Sequence, residues 1–189
     1  MADSVGQANP PDERIEGWPL PLRGAVYGVV AGLGTYVTVT LFVGIHVLTT
    51  ANVTFSGIGI QTLFRATLGD FFSAHIGVTD GVVLGVAGVG TVPEPAYTFA
   101  VPLLLGYFGW LCHTGLTADT GQEAFLHGAS IAIGYTLVVG LCLATLYNTA
   151  RFAFVGIDTT RAVVLGGLVY PVVFGGLGGI GSYMTHVQS

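Results

Sequence analysis

The sequence predicts an all-α membrane protein: a bundle of four transmembrane helices, with five as the alternative, and an amphipathic helix at the membrane interface. Two observations support this prediction. Only 8% of the 189 residues are charged while 52% are hydrophobic, and the mean hydropathy is +0.76. A soluble domain carries roughly a quarter charged residues, so this chain lacks the means to cover a water-facing surface. The second observation is a set of uncharged runs, each of the roughly 20 residues that a helix needs to cross a bilayer.

Four such runs define the predicted spans, at about residues 24–49, 96–117, 124–148 and 162–186. Arg23, Glu123 and Arg161 stand immediately before the first, third and fourth runs. Charges therefore stay out of the hydrocarbon, where they are costly. We expect residues 23–189 to form one transmembrane domain of a multi-pass protein of the cell membrane, and the proline-rich residues 1–22 to form a flexible tail.

The region between the first two spans is different. Residues 60–76 place apolar side chains at helical spacing, with Gln61, Arg65 and Ser73 on the opposite face. This pattern predicts an amphipathic helix in the membrane interface; the alternative is a helix packed over the end of the bundle.

Residues 77–95 are apolar and glycine-rich, and for them we expect irregular structure or a partly inserted hairpin. The alternative is a fifth span over 78–92. Four spans divide the five arginines two against three, whereas five spans divide them four against one, as the positive-inside rule prefers. The number of spans and the orientation in the membrane therefore stay open at this point.

The stretch "LGGLVYPVVFGGLGGIG", residues 165–181, contains seven glycines and one proline. Such a run would be a loop in water, but a chain that spans lipid must satisfy its backbone internally and is therefore helical. Small residues let helices approach closely. The residues predicted to mediate helix packing, in the first and fourth spans, are Gly24, Gly28, Gly32, Gly167, Pro171, Gly175, Gly178 and Gly179. We expect these two helices to form a close pair.

Pro171 has a further consequence for the fourth helix. Proline has no backbone N–H, so it should kink the helix and leave a carbonyl near Gly167 without its usual donor. The alternative function of such a proline and its glycines is a broken helix at a transport site.

Histidines are the main candidates for chemistry. In the four-span arrangement several histidines and acids meet at one end of the bundle, and imidazole and carboxylate together suit a transition metal. The metal-ligand candidates are His113, Glu123, His127 and His186. The alternative is that these side chains are solvated at the interface. A second group lies towards the opposite end, where the sequence supports a metal site no better: His46, Asp70, His75 and Asp80.

Several classes of function are disfavoured. The motifs HExxH, CxxC and GxSxG and a phosphate-binding loop are missing from the sequence, so we expect no enzymatic activity, no catalytic residues and no cofactor. The net charge is −5 and no lysine is present, which argues against a nucleic-acid partner. The expected partners are the lipid bilayer and either a second copy or another membrane protein.

Three stretches carry a resemblance: "LRGAVYGVVAGLGTYVTVTLF", "FFSAHIGV" and "LVYPVVFGGLGG". Together they resemble a small uncharacterised multi-pass membrane protein family of extremely halophilic archaea. The resemblance implies an integral-membrane protein. Members of that family are sometimes labelled transporters, and the family offers no catalytic residues to carry across.

Three hypotheses of function follow. The leading one is a non-enzymatic multi-pass membrane protein with glycine-mediated helix packing, acting as an assembly or complex subunit, because its helices are glycine-lined and show no polar interior. The first alternative is a small transporter or channel component, suggested by Pro171 and by span hydroxyls such as Thr35 and Thr136. The second alternative is a membrane protein that binds a metal through histidine and glutamate.

Overall fold

The computed structural model describes residues 18–50, 67–72, 74–75, 94–149 and 157–187. The predicted all-α class is confirmed. The principal helices are α1 (Leu20–Thr50), α2 (Glu94–His113), α3 (Gly121–Ala129), α4 (Ala132–Thr149) and α5 (Thr159–Val187).

Three stretches of these helices are long and apolar enough to cross a membrane: Leu20–Phe42, Gly121–Leu146 and Thr159–Val187. The α2 helix adds a shorter apolar stretch, Phe99–His113. It ends four residues before the predicted span does, because Gly115 adopts a left-handed φ of 81°, a conformation that terminates helices.

The predicted third span consists of two helices, α3 and α4, joined by a bend. Ser130 ends α3, and the N–H of Ile131 donates to the carbonyl of Gly128 at 3.4 Å. This bond reaches back three residues instead of four, which tightens the last turn.

The ends of α1 and α2 show how these two helices run. Arg23, at the start of α1, donates through Nη2 to the carbonyl of Leu111 at 3.2 Å and to the carbonyl of Thr114, both at the end of α2. The start of α1 and the end of α2 therefore lie at the same end of the bundle, and the helices are antiparallel. The four-span prediction has this relative orientation, and the number of spans stays a prediction. Residues 77–93 themselves lie outside the described residues.

The glycines of the first span pack against the third span. A β-carbon on Gly24 would overlap Ser130, one on Gly28 would overlap the carbonyl oxygen of Ile131, and one on Gly32 would crowd Val138. Successive glycines of α1 meet successively later residues of the third span, so α1 and α4 are parallel.

The α5 helix packs on α2, on α3 and on α4, and α1 packs mainly on α4. The expected close pair of first and fourth helices is therefore wrong for the described residues. Both helices use the third span as their common partner.

The outer surface of the bundle is apolar. Large hydrophobic side chains that are about 40% exposed or more recur every three or four residues on the long helices, for example Leu33, Val37 and Leu41 on α1. This is the arrangement of helices that face lipid on one side and a packed interior on the other.

Two boundaries differ from the prediction. The α1 helix begins at Leu20, so residues 20–22 are helical although they were assigned to the tail; residues 1–17 of that tail lie outside the described residues. Within the predicted interfacial helix, residues 67–72 are helical, and these residues together with 74–75 are all buried. An interfacial helix would expose its polar face, so the interfacial location is wrong for this part. Residues 60–66, 73 and 76 are not among those described.

Candidate functional site

The segment formed by residues 67–72 and 74–75 brings two ionisable side chains into the interior of the bundle. Asp70 is 6% exposed and His75 is 1% exposed. The sequence predicted that both lie towards one end of the bundle, and this location is corrected by the structure. His46 and Asp80, grouped with them, have no described side chain.

The neighbours of this segment show its depth. Thr67 contacts Tyr36, one residue past the centre of the 31-residue α1. His75 contacts Tyr135, which is central to the 121–149 region, and Tyr170, near the middle of α5. The segment therefore lies at mid-depth, among three helices.

His75 makes two hydrogen bonds, which fix the tautomer of its neutral form. Nδ1 lies 2.9 Å from the carbonyl oxygen of Phe71. A carbonyl can only accept, so Nδ1 carries the proton. Nε2 then accepts from the hydroxyl of Tyr135, 2.8 Å away. We call His75, Tyr135, Tyr36, Thr67 and Asp70 the central polar cluster.

The rest of the cluster extends this network to α1. The hydroxyl oxygens of Tyr36 and Thr67 are 3.0 Å apart. Thr35 donates to the carbonyl of Ala31 at 2.9 Å, and its hydroxyl also interacts with Tyr135. These bonds compensate the cost of burying polar groups away from water.

Aromatic rings enclose His75. The ring centres of Phe71, Tyr135 and Tyr170 lie 5.3, 5.9 and 5.1 Å from that of the imidazole. Removal from water disfavours a charged form. Burial accordingly lowers the pKa of His75 to about 4, although the hydrogen bond to the Phe71 carbonyl acts in the opposite direction. Burial raises the pKa of Asp70 to about 6.

The α5 helix is irregular beside this cluster. Residues 162–169 and 171–175 are π-helical, and Tyr170 stands between the two stretches. Pro171 has no N–H to donate towards Gly167, and the hydroxyl of Thr136 lies 2.6 Å from that carbonyl oxygen. Thr136 is also 2.7 Å from the carbonyl of Ala132, so one hydroxyl proton serves two acceptors. A threonine on α4 thus supplies a donor to a carbonyl of α5 beside the proline.

Of the predicted metal-ligand candidates at the end of the bundle, the structure brings His113 and His127 into direct contact. His113 and His127 face each other with their Nδ1 atoms 3.1 Å apart. His186 bonds instead to the carbonyl of Ser182 at 2.7 Å, and Glu123 accepts the N–H of Asp119 at 2.8 Å. Within the described ranges, no group of three or more histidine, cysteine, aspartate or glutamate residues is arranged to hold a metal ion.

The glycines singled out on α5 mark close backbone contacts. A β-carbon on Gly178 would overlap the carbonyl of Gly106 in α2, and one on Gly179 would overlap that of Ala124 in α3. Gly175 lies against Gly128 and Gly109, so three helices meet at glycine. Gly167 makes ordinary contact with Thr136, and Pro171 is buried.

Sequence reasoning missed two of the residues that build the interior. Tyr135, fully buried, was read only as part of a span, although a tyrosine in the middle of an uncharged run needs a hydrogen-bond partner and was a usable signal. Arg23 was read as a flanking charge, yet it is 1% exposed and binds the end of α2.

A lipid-facing helical bundle with a polar centre defines an integral-membrane protein. The chain belongs to the family of unknown function DUF7978, which it matches over residues 18–186. No curated protein and no solved structure matches it.

Proposed function

We propose that this protein is a small membrane transporter or channel component whose working site is the central polar cluster. The observation that supports it is the position of the segment that carries Asp70 and His75, both of which are buried. The segment contacts α1 through Thr67, and it contacts α4 and α5 through His75. Ionisable side chains inside a membrane bundle are costly, and they mark ion pathways and proton relays.

This proposal replaces the leading hypothesis from the sequence for a specific reason. A pure packing and assembly role was inferred from helices without a polar interior. The interior contains Thr35, Thr67, Asp70 and His75, all buried. Glycine contacts alone would bring the helices together without these groups.

The irregular α5 helix supports the same proposal. Transport sites are commonly formed where a helix is interrupted at mid-depth and its backbone is satisfied by neighbouring groups. Tyr170, whose ring contacts His75 at 5.1 Å, precedes the proline that interrupts α5. A change in the backbone there would act directly on the imidazole.

Protons are the first substrate to test, because the cluster offers groups that exchange them. His75 bears its proton on Nδ1 and accepts a hydrogen bond at Nε2. If Tyr135 turns away, Nε2 is the atom that receives a proton, and the Phe71 carbonyl continues to hold Nδ1.

The test is proton flux into liposomes that contain the purified protein and a pH-sensitive dye, driven by a potassium diffusion potential. We expect flux above that of empty liposomes. Asp70→Asn and His75→Gln should each remove most of it, since each removes a proton-exchanging group from the centre.

His186→Gln is the matched control, because it removes a histidine at the end of α5 and should leave the flux unchanged. Equal flux in all variants would contradict the assignment of the site. A folded parent without flux of protons, alkali ions or chloride would contradict the proposed function.

Assembly is the second candidate, favoured by one surface. A groove of about 690 Å³ lies between α2 and α5, with Gly106, Gly178 and Gly181 among its lining residues and Leu103 and Trp110 at its sides. The β-position of Gly181 is open, which leaves room for a helix of a second copy. Native mass spectrometry of the parent and of Gly181→Leu tests this: a dimer that the substitution abolishes supports assembly, and a monomeric parent contradicts it.

The remaining expectations belong to the same proposal. The protein is non-enzymatic, works without a cofactor, and has the bilayer and either a second copy or another membrane protein as partners. An origin in halophilic archaea is inferred from the sequence resemblance and the absence of lysine.

A further inference from the structure

The geometry of His113 and His127 identifies the kind of contact they make. Their Nδ1 atoms are 3.1 Å apart and their ring centres 5.3 Å apart. The difference between these two distances corresponds to about one ring radius for each imidazole. Both nitrogens therefore lie close to the line that joins the ring centres. Two ligands of one metal would instead point towards a third position off that line. The contact is a head-on Nδ1–H···Nδ1 hydrogen bond.

Such a bond needs one N–H donor and one bare nitrogen. A neutral imidazole has one of each, so one histidine donates through Nδ1 and carries a bare Nε2, while its partner accepts at Nδ1. The two rings therefore share the protonation state of the contact, although they come from different helices, α2 and α3.

We propose that His113 and His127 together form one proton-binding site that takes up a single excess proton. The proton binds at the bare Nε2 of the donating histidine, whose ring becomes an imidazolium. The hydrogen bond persists and becomes charge-assisted, hence stronger. A second proton must bind the accepting Nδ1, which destroys the acceptor and places two N–H groups face to face. This site is independent of the central polar cluster.

Charged groups from every neighbouring helix act on the pair. Arg23 on α1 and His186 on α5 are close enough to interact with His113, and Arg23 opposes added positive charge. Glu123 on α3 lies one turn before His127, and its negative charge favours a positive charge on that imidazole. Repulsion by Arg23 reinforces the limit of one proton, and Glu123 makes the first uptake easier.

The test is nuclear magnetic resonance of the full-length protein, with its histidines labelled with ¹⁵N, in nanodiscs titrated from pH 8 to pH 4. We expect the resonances of His113 and His127 to move together in a first step. The second step should require at least about tenfold more protons, as for strongly coupled groups. In His113→Gln or His127→Gln the remaining histidine should titrate in one step, and Glu123→Gln should move the first step to lower pH.

His186→Gln is the control and should leave both steps in place. A scalar coupling between the two Nδ1 atoms of the parent tests the hydrogen bond without any substitution, and its absence throughout the titration would overturn the proposal. Independent single-step titrations of the two residues would do the same. So would a shift of both resonances by one equivalent of Zn²⁺, which would show a metal site.

Discussion

The hydroxyl oxygen of Thr136 on α4 lies 2.6 Å from the carbonyl oxygen of Gly167 on α5. Pro171, four residues after Gly167, is the residue whose N–H would bind that carbonyl in a regular helix. The structure is π-helical on both sides of Tyr170, and a side chain of α4 adds a donor to this carbonyl.

Thr136→Val keeps the shape of the side chain and removes this donor, so we expect it to destabilise the folded protein by about 1 kcal/mol. Thr40→Val is the matched control, because Thr40 donates to the carbonyl of Tyr36 in its own helix. Pro171→Ala should restore a backbone donor and reduce the cost of Thr136→Val. Thermal unfolding in detergent of the parent, the three single variants and the double variant Thr136→Val/Pro171→Ala measures this. Equal costs of Thr136→Val with and without Pro171 would contradict the compensation.

Gly175→Leu and Gly179→Leu should both damage the fold, because their β-carbons would meet the backbones of α3 residues. Overpacking costs roughly 1–3 kcal/mol, whereas leucine gains at most about 1 kcal/mol of helix propensity over glycine. Gly181→Leu has the same propensity gain and open space at its β-position. Folded yield and thermal midpoint in detergent measure the difference, and glycine variants as stable as Gly181→Leu would show that these contacts do not limit packing.

Tyr135→Phe removes the hydroxyl that donates to His75 and leaves Nε2 buried without a partner. An unsatisfied buried polar group costs about 1–3 kcal/mol, so the variant should be less stable by that amount. Tyr107→Phe is the control, since Tyr107 is 52% exposed on α2. Chemical denaturation followed by tryptophan fluorescence measures both, and equal stability of the two variants would contradict the hydrogen bond.

The central polar cluster also predicts opposite effects of acid in two variants. The pKa of His75 is lowered from 6.5 to about 4, so between these values the unfolded state binds the proton first and acidification destabilises the fold. The pKa of Asp70 is raised from 3.8 to about 6, so in that window the folded state binds the proton first and acidification stabilises it.

The two effects oppose each other in the parent, and each variant exposes one of them. Asp70→Asn should lose thermal stability from pH 6.5 to pH 4.5, whereas His75→Gln should gain it over the same range. Thermal midpoints in detergent at three pH values measure the slopes. Slopes of the same sign in both variants would show that burial does not set these two titrations.

The sequence predicted the helical class and the approximate spans well, because the absence of charge over about 20 residues is a direct consequence of the lipid environment. It failed for the segment 67–75. An amphipathic pattern has the same periodicity at a membrane interface and inside a bundle. The contacts with Tyr36, Tyr135 and Tyr170, on helices distant in sequence, show that the described residues of this segment lie inside.

Helix pairing was also predictable only in part. The glycines of α1 and α5 indicated that each helix makes a close contact, but a small residue does not specify which backbone approaches it. Gly134 on α4, opposite Ala25, and Gly128 on α3 supply the complementary surfaces, and both lie in the third span. The pairing of His113 with His127 likewise joins two different helices, α2 and α3.

The partnership of α1 with α4 has a consequence for how the protein is made. The two helices are parallel and meet through residues more than one hundred positions apart in sequence, and even Arg23 and Leu111 are separated by 88 positions. During synthesis α1 therefore enters the membrane before the third span, its packing partner, has left the ribosome. Until then the glycine face of α1 is exposed and could pack against other helices. Biogenesis of this protein should therefore depend on a factor that covers this face until α4 is inserted.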